Sequence, residues 1–180
     1  MSRRRNRILR WPTARAWCRG LFALYFVLLG QDTVYAGEFP VADQVLIKKA
    51  ERKLHLIKDG VAFRTFDIAL GIRPVGEKEQ EGDFKTPEGQ YILDMRNSHS
   101  EFFLSIHVSY PNFLDIRSAR AKGVEPGGAI MIHGQPNSPS RSEAYYDTQD
   151  WTNGCIAVSN SDMIDIWLMT ANNTPIEIRP

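Results

Sequence analysis

The chain has 180 residues, of which 43% are hydrophobic and 24% are charged, and its formal net charge is +1. This composition is typical of a globular protein, and the length suits one domain around one hydrophobic core. Seven arginines and Asp32 give the first 36 residues a charge of +6, so the remainder carries −5. That remainder has no basic patch, which argues against nucleic acid as a partner.

Residues 1–36 have the pattern of a secretory signal peptide. An arginine-rich start precedes the apolar run 21–30, and Val34-Tyr35-Ala36 supplies the small residues of a cleavage site. The apolar run is about half the roughly 20 residues that a membrane span needs. We therefore expect export to the periplasm or cell envelope, cleavage after Ala36, and one domain over residues 37–180 with no stable membrane span. An uncleaved N-terminal anchor is the alternative.

The first part of residues 37–180 is dominated by strand patterns. Short apolar runs lie at 45–47, 54–57, 63–70, 91–93 and 104–110. Asp59-Gly60 separates the second and third runs, and this dipeptide favours a type I′ hairpin. We expect residues 71–82 to form a charged loop over the surface, Thr86-Pro87-Glu88-Gly89 to form a type I turn, and 97–100 to form a polar loop.

Two helices are expected in the second part of the chain. Asn112 can cap one that Gly123 ends, with Phe113 and Ile116 on one side. Ser159 or Asn160 can cap the other, whose apolar positions recur at helical spacing and predict a core-facing stripe. That stripe consists of Met163, Ile164, Trp167 and Leu168. Apolar runs at 129–132, 156–158 and 175–178 predict three further strands, so the domain should be mainly β.

Cys155 and His133 are the candidate catalytic residues. Each lies at the end of a predicted buried strand, and Cys155 is the one cysteine of residues 37–180. A thiolate is a strong nucleophile, and a nearby histidine is expected to lower the pKa of its thiol. Gly154 allows a sharp turn that can present the N–H groups of Gly154 and Cys155 to an oxyanion.

A structural role is the alternative for both side chains, because free cysteines are often buried and a histidine after an apolar run often serves packing. Export favours a reactive role for Cys155, since a single exposed thiol without a function would be prone to oxidation in an oxidising compartment. His55, His99 and His107 have no metal-binding spacing with other residues, so no metal site is expected. His107 lies on an alternating strand and is the second candidate base.

Several motifs together resemble a known family. Residues 131–134 (MIHG) and 151–158 (WTNGCIAV) are similar to the signature of the L,D-transpeptidase catalytic domain, the YkuD or ErfK family. Residues 82–91 (GDFKTPEGQY) resemble a second motif of this family, and 109–112 (SYPN) a third. The resemblance implies a mainly β fold, an L,D-transpeptidase-like β-sandwich or partly open barrel with about two short helices. It also implies a catalytic cysteine that acts on peptidoglycan stem peptides without a metal or an organic cofactor.

Carried over by position, the resemblance makes Cys155 the nucleophile and His133 the proton acceptor and donor, with the Gly134 carbonyl orienting the imidazole. Thr152, Asn153 and Gly154 become oxyanion or substrate-binding residues. Two positions depart from the cross-linking members of the family. Asn153 stands where His or Ser is common, and Ala157 replaces an arginine, so GCIAV takes the place of GCIR. These changes resemble a subgroup that includes hydrolytic members.

The expected reaction is acyl transfer through a thioester on Cys155, with a stem peptide as donor. The acceptor is open: a stem amine gives a cross-link, a protein amine gives an attached protein, and water gives L,D-carboxypeptidase or hydrolase activity. Residues 71–82 and 135–150, the latter with Tyr145 and Tyr146, are candidate lids. A noncatalytic peptidoglycan-binding module is the alternative from another class, and a thiol of depressed pKa would distinguish the enzyme from it.

Overall fold

The computed structural model describes residues 39–180, so the predicted secretory signal lies outside the described residues. The strands are β1 Gln44–Lys48, β2 Lys53–Lys58, β3 Val61–Asp67, β4 Gly89–Ser100, β5 Phe103–Val108, β6 Met131–His133, β7 Ile156–Ala157 and β8 Thr174–Arg179. The helices are α1 Phe113–Ala121, α2 Glu143–Thr148 and α3 Asn160–Met169. Over residues 39–180, no helix is long and apolar enough to cross a membrane.

The strands form one mixed sheet of eight strands in the order β3-β2-β1-β8-β4-β5-β6-β7. The β1–β8 and β6–β7 pairs are parallel, and the others are antiparallel. Ala69, just after β3, bridges Ala157 in β7 through two N–H···O bonds of 2.8 Å. The sheet therefore rolls until its two ends touch at this bridge, without closing into a barrel. The predicted mainly β fold with a few short helices is confirmed.

The predicted hairpin turn and the two predicted helix caps are confirmed. Asp59 and Gly60 both have positive φ, 51° and 77°, as a type I′ turn between β2 and β3 requires. Asn112 caps α1 in a capping box with Asp115, and Gly123 follows the helix with φ of 69°. The side chain of Ser159 caps α3.

The core lies between the concave side of the sheet and α3. Alternate residues of β1 and β2 are fully buried, as are residues of β4, β5 and β8. The predicted stripe of α3 is half confirmed: Met163 is buried and Trp167 packs against the core, whereas Ile164 and Leu168 are nearly half exposed. Ile166 and Met169 are buried in their place. The buried set follows i, i+3, i+6, which a sequence rich in apolar residues on both helix faces does not distinguish from the predicted set.

Three local predictions are wrong. Residues 86–88 form no turn and lead into β4, because Thr86 accepts hydrogen bonds from Gly71 and Lys49. Residues 97–100 belong to β4, and they are polar because one face of this strand borders a cavity. Residues 143–148 form α2, which was expected to be loop; its N-cap, Ser142, makes no side-chain cap hydrogen bond, so the usual start signal is absent.

Candidate active site

Cys155 and His133 lie at the ends of neighbouring strands. His133 ends β6, and Cys155 immediately precedes β7, which pairs with β6 in parallel. Both residues line one cavity of about 490 Å³, together with the predicted Thr152 and Asn153. The sequence prediction that these side chains meet at one site therefore agrees with the fold. Gly134 and Gly154, the other predicted residues, adjoin the pair along the chain.

The floor of this cavity is a row of residues across three strands. Asn97 of β4 faces Ser105 of β5, and Ser105 faces His133 of β6. All three line the cavity. Asn97 was predicted to lie in a loop, and Ser105 was not among the predicted site residues. Alternation along β5 nevertheless puts Ser105 on the same face as His107.

The imidazole of His133 is buried and held in one orientation. Its exposed fraction is 4%, and its Nδ1 lies 2.7 Å from the Gly134 carbonyl oxygen. Because a carbonyl only accepts, Nδ1 carries the proton and Nε2 is the free acceptor of the neutral ring. Phe102 and Trp151 pack against the ring with centroid distances of 4.7 and 5.5 Å. Burial lowers the pKa of His133, and the Gly134 carbonyl opposes this only in part.

Gly134 is fixed by its neighbours. Its N–H is shared between the carbonyls of Phe102 (3.1 Å) and Leu104 (3.2 Å). A Cβ at this position would lie 2.5 Å from Oδ1 of Asn160, which accepts a 2.8 Å hydrogen bond from the N–H of Gln135. Asn160 at the start of α3 thus holds the segment that orients His133. The sequence revealed Asn160 only as a possible cap.

The thiol of Cys155 is partly buried, with Sγ 3.6 Å from the carbonyl oxygen of Ala129. Burial raises its pKa, while the backbone N–H of Met131 and the positive charge of Lys78 lower it less. The expectation that His133 depresses the pKa of this thiol is therefore wrong for the resting site. The physical reason is that both side chains are desolvated, which favours a neutral thiol and a neutral imidazole over an ion pair. The resting pKa of the thiol therefore does not distinguish an enzyme from a noncatalytic module here.

The turn before the nucleophile is closed by Thr152. Its Oγ1 accepts the N–H of Gly154 (3.1 Å) and donates to the carbonyl of Cys155 (2.7 Å). Gly154 has φ of 131°, and a Cβ there would lie 2.7 Å from the carbonyl oxygen of Lys85. Of the two N–H groups predicted for an oxyanion, that of Gly154 is already bonded. The N–H of Cys155 has no acceptor within residues 39–180.

Residues 83–86 support this turn from behind. The Asp83 carboxylate accepts from the N–H groups of Glu79, Gln80 and Lys85 and from Nζ of Lys78 (2.8 Å). The carbonyls of Phe84 and Lys85 face Gly71 and Gly154, which have no side chain to displace them. Part of the motif 82–91 thus positions the nucleophile turn, a role that the sequence alone did not indicate.

The predicted charged loop 71–82 lies largely on the surface, but two buried lysines anchor it. Lys78 is 6% exposed and donates to the Gln80 carbonyl as well as to Asp83. Lys49, which directly follows β1, is 2% exposed. It donates to the carbonyls of Gly76 and Thr86 and to the carboxylate of Glu88, each at 2.8 Å. Each ammonium group has enough acceptors to be buried as a cation.

A second cavity of about 330 Å³ reaches the same cysteine. It shares Ala129, Asn153 and Cys155 with the first cavity, and Lys78 and Glu81 of loop 71–82 border it. The predicted lid 135–150 lines neither cavity. Instead Tyr146 of α2 packs on Trp151 (5.0 Å between ring centroids) and accepts its indole N–H at the backbone carbonyl (3.2 Å), so this segment supports the cavity wall.

Of the other three histidines, only His99 borders the cavity of Cys155 and His133. His107 bonds to Asp94 (2.6 Å) and does not line the cavity, whereas His99 does line it. His55 bonds to Thr65 on the first hairpin. Among residues 39–180, no group of three His, Cys, Asp or Glu side chains could hold a metal ion.

This site occurs in a chain with known relatives. The YkuD family, described as L,D-transpeptidase catalytic domain, matches residues 42–178. YafK of Escherichia coli strain K12, which carries a provisional assignment as an L,D-transpeptidase, is 37% identical over 97 residues, covering 50% of this chain and 37% of YafK. The structure of the helical cell shape determining protein Pgp2 from Campylobacter jejuni is 28% identical with a TM-score of 0.59, covering 76% of this chain and 46% of Pgp2. Bd1075 of Bdellovibrio bacteriovorus, 23% identical, shares the fold with a TM-score of 0.53 over 78% of this chain and 51% of its own.

The chain thus spans 37% of the length of YafK and about half of the two solved relatives. The family match, in contrast, includes all eight strands and all three helices of the described residues except the last residue of β8. The chain belongs to the L,D-transpeptidase catalytic domain family.

Proposed function

We propose that this protein is a cysteine acyltransferase that acts on peptidoglycan stem peptides. The observation that carries the proposal is the shared cavity of Cys155 and His133, in which the Gly134 carbonyl fixes the imidazole with Nε2 as its free acceptor. A thiol that shares a cavity with an oriented, neutral base is the arrangement that nucleophilic catalysis needs. The L,D-transpeptidase family supplies the substrate class.

The first half of the reaction forms a thioester. Nε2 of His133 takes the proton from Sγ of Cys155 as the sulfur attacks the carbonyl of the third stem residue, a diamino acid attacked at its L-centre. The N–H of Cys155, which has no acceptor within residues 39–180, is the donor available to the oxyanion. The C–N bond to the terminal D-Ala then breaks, and the imidazolium returns the proton to the departing amine.

The second half of the reaction releases the acyl group to an acceptor. Two cavities meet at Cys155, so a donor in one leaves the other open for an acceptor amine. His133 takes a proton from the attacking amine, the C–N bond forms, and the thiol leaves with the proton. We propose transfer to a stem amine as the main reaction and, since Pgp2 is a cell shape determining protein, a role in cell-wall remodelling.

Hydrolysis is the second candidate, and Ala157 favours it. Ala157 is 2% exposed, lies opposite His133 of β6 in the sheet and exchanges both of its backbone hydrogen bonds with Ala69, so the arginine of the cross-linking members has no space here. If that cation is needed to hold an acceptor stem, water resolves the thioester and the product is a tripeptide.

The test is incubation of residues 37–180 with a stem tetrapeptide, followed by mass analysis. A dimer supports transfer, a tripeptide supports hydrolysis, and no product with intact folding supports the noncatalytic module. Cys155→Ala should abolish either product. His133→Ala should lower kcat/KM at least about a hundredfold. His107→Ala is the matched control, because His107 bonds to Asp94 outside the cavity; a larger loss in this variant would refute His133 as the base.

We also propose export with cleavage after Ala36, so that the mature enzyme acts in the periplasm or cell envelope. The support is the pattern of residues 1–36 and the cell-wall substrate of the family. Intact mass of the protein recovered from the envelope fraction tests this. A mass that includes residues 1–36 would instead support an N-terminal anchor.

A further inference from the structure

The tip of the β4–β5 hairpin is built into the active-site cavity. Asn97, Ser100, Glu101 and Phe102 of this hairpin all border it. Asn137 fixes the tip with three hydrogen bonds: its N–H donates to the Glu101 carbonyl, its Nδ2 donates to the Ser100 carbonyl, and its Oδ1 accepts from the N–H of Phe103. The Gly134 N–H also donates to the Phe102 carbonyl. The tip is therefore held by the same segment that orients His133.

Glu101 gives this cavity its charge. Among the described residues that line it, Glu101 is the one carboxylate, and no lysine or arginine is present. The nearest buried cation, Lys78, borders the second cavity and is paired with Asp83. A cleft with one sign of charge and low-dielectric walls attracts ligands of the opposite sign. The hairpin side of the cavity thus favours a cation.

Glu101 lies at the hairpin tip, directly before Phe102. The ring of Phe102 packs against the imidazole of His133 at 4.7 Å between centroids, and its carbonyl accepts from the Gly134 N–H. Cys155 borders the same cavity. A diamino acid whose carbonyl lies at Cys155 therefore has its side chain in a cavity that Glu101 also borders.

We propose that Glu101 is a specificity residue that binds the side-chain ammonium of the donor diamino acid while Cys155 attacks the carbonyl at its other end. This inference rests on the proposed function and names the feature of the stem that the site recognises. The bound amine is the donor's own, because a carboxylate stabilises the protonated form, whereas an attacking acceptor amine must be neutral.

Two peptides test the proposal: a stem tetrapeptide with a free side-chain amine and the same peptide acetylated there. Wild-type enzyme should have a KM about threefold to fivefold lower for the free peptide, the range expected for a partly exposed ion pair. Glu101→Gln should bring the ratio of the two KM values to one. Glu143→Gln is the matched control, since Glu143 is exposed on α2 and borders neither cavity, and it should keep the wild-type ratio. Higher salt should reduce the preference.

Binding to Cys155→Ala separates this proposal from the proposed function. Trp151 in the cavity wall provides a fluorescence signal for both peptides without turnover. A preference for the free peptide that disappears in Cys155→Ala/Glu101→Gln supports the role of Glu101 even if the wild type forms no product. Equal binding of both peptides, a preference that survives Glu101→Gln, or no binding of either would overturn it.

Discussion

The proton states of His133 and Cys155 follow from the burial of each side chain. The ring of His133 packs against Phe102 and Trp151, and its burial lowers its pKa. Burial also raises the pKa of Cys155. Both groups are then uncharged at neutral pH, and the proton leaves the sulfur only as the new bond forms. A resting thiol of this kind also resists oxidation, which suits the export proposed above.

Thiol labelling tests this neutral resting state. We expect iodoacetamide to label Cys155 slowly at pH 7, with a rate that increases as the pH passes the ordinary thiol range near about 8.5, because only the thiolate reacts. Glutathione under the same conditions is the reference, and it should reach half of its maximal rate at a lower pH than the protein does. Fast labelling of the protein at pH 6 to 7 would instead demonstrate a thiolate–imidazolium pair.

At the scale of elements, the nucleophile turn depends on a segment distant in sequence. Residues 83–86 pack against Gly71 and Gly154, and the Asp83–Lys78 pair holds them there. Neither Lys78 nor Asp83 takes part in the bond changes of the proposed reaction. Their role is to keep the backbone of Cys155 in one position, which is a requirement for a preorganised oxyanion site.

Two glycines test this contact. Gly154→Ala should lower the free energy of unfolding by about 2–4 kcal/mol and abolish turnover, because its φ of 131° is strained for alanine and its Cβ would lie 2.7 Å from the Lys85 carbonyl oxygen. Gly82→Ala is the matched control: its φ is 73° and nothing lies within 4 Å of a Cβ there. It should cost about 1–2 kcal/mol. Urea unfolding measures both, and equal losses would contradict the proposed packing.

The Asp83–Lys78 pair gives a second prediction. Asp83→Ala should cost about 3–5 kcal/mol of unfolding free energy, because it leaves the buried Lys78 ammonium without its counterion. Asp83→Ala/Lys78→Met should recover part of this loss. If the double variant is less stable than Asp83→Ala, the cost does not come from the uncompensated charge.

The same pair predicts a pH dependence. Burial raises the pKa of Asp83, but the hydrogen bonds from Lys78 and three backbone N–H groups outweigh it, so the pKa is below its usual value. The stabilisation is therefore fully present above about pH 4, the unfolded value, and is lost as the pH falls through the lower folded value. Chemical unfolding between pH 5 and 2 should show a smaller decrease for the double variant than for the wild type.

The sequence predicted those elements whose signals are local. The Asp59-Gly60 hairpin, the Asn112 cap and the Ser159 cap each depend on residues within one turn, and all three are present. Half of the buried stripe of α3, the helix α2 and the burial of Lys78 depend on partners far along the chain, and these were missed. At the site, residue types identified Cys155 and His133, whereas the bond that engages the Gly154 N–H requires the position of the Thr152 hydroxyl.

At the scale of the whole molecule, the rolled sheet brings the segment after β3 against β7, next to the proposed catalytic residues. Cys155 and His133 come from β7 and β6 at one end of the strand order, and Ala69 after β3 approaches from the other end. The proposed catalytic pair thus lies where the two ends of the strand order meet. A sequence pattern of separate strands does not contain this information, because the roll depends on the pairing of the entire sheet.

The Ala69–Ala157 bridge has a consequence for how the enzyme loses activity. Strand β7 has only two residues, so its position depends on β6 on one side and on two hydrogen bonds to Ala69 on the other. A strand this short is expected to detach in a local opening that leaves most of the core intact. In increasing urea, activity and protection of the Ala157 amide from hydrogen exchange should therefore decrease together, before the signal of global unfolding. Coincident transitions would show that the nucleophile strand opens only with the entire domain.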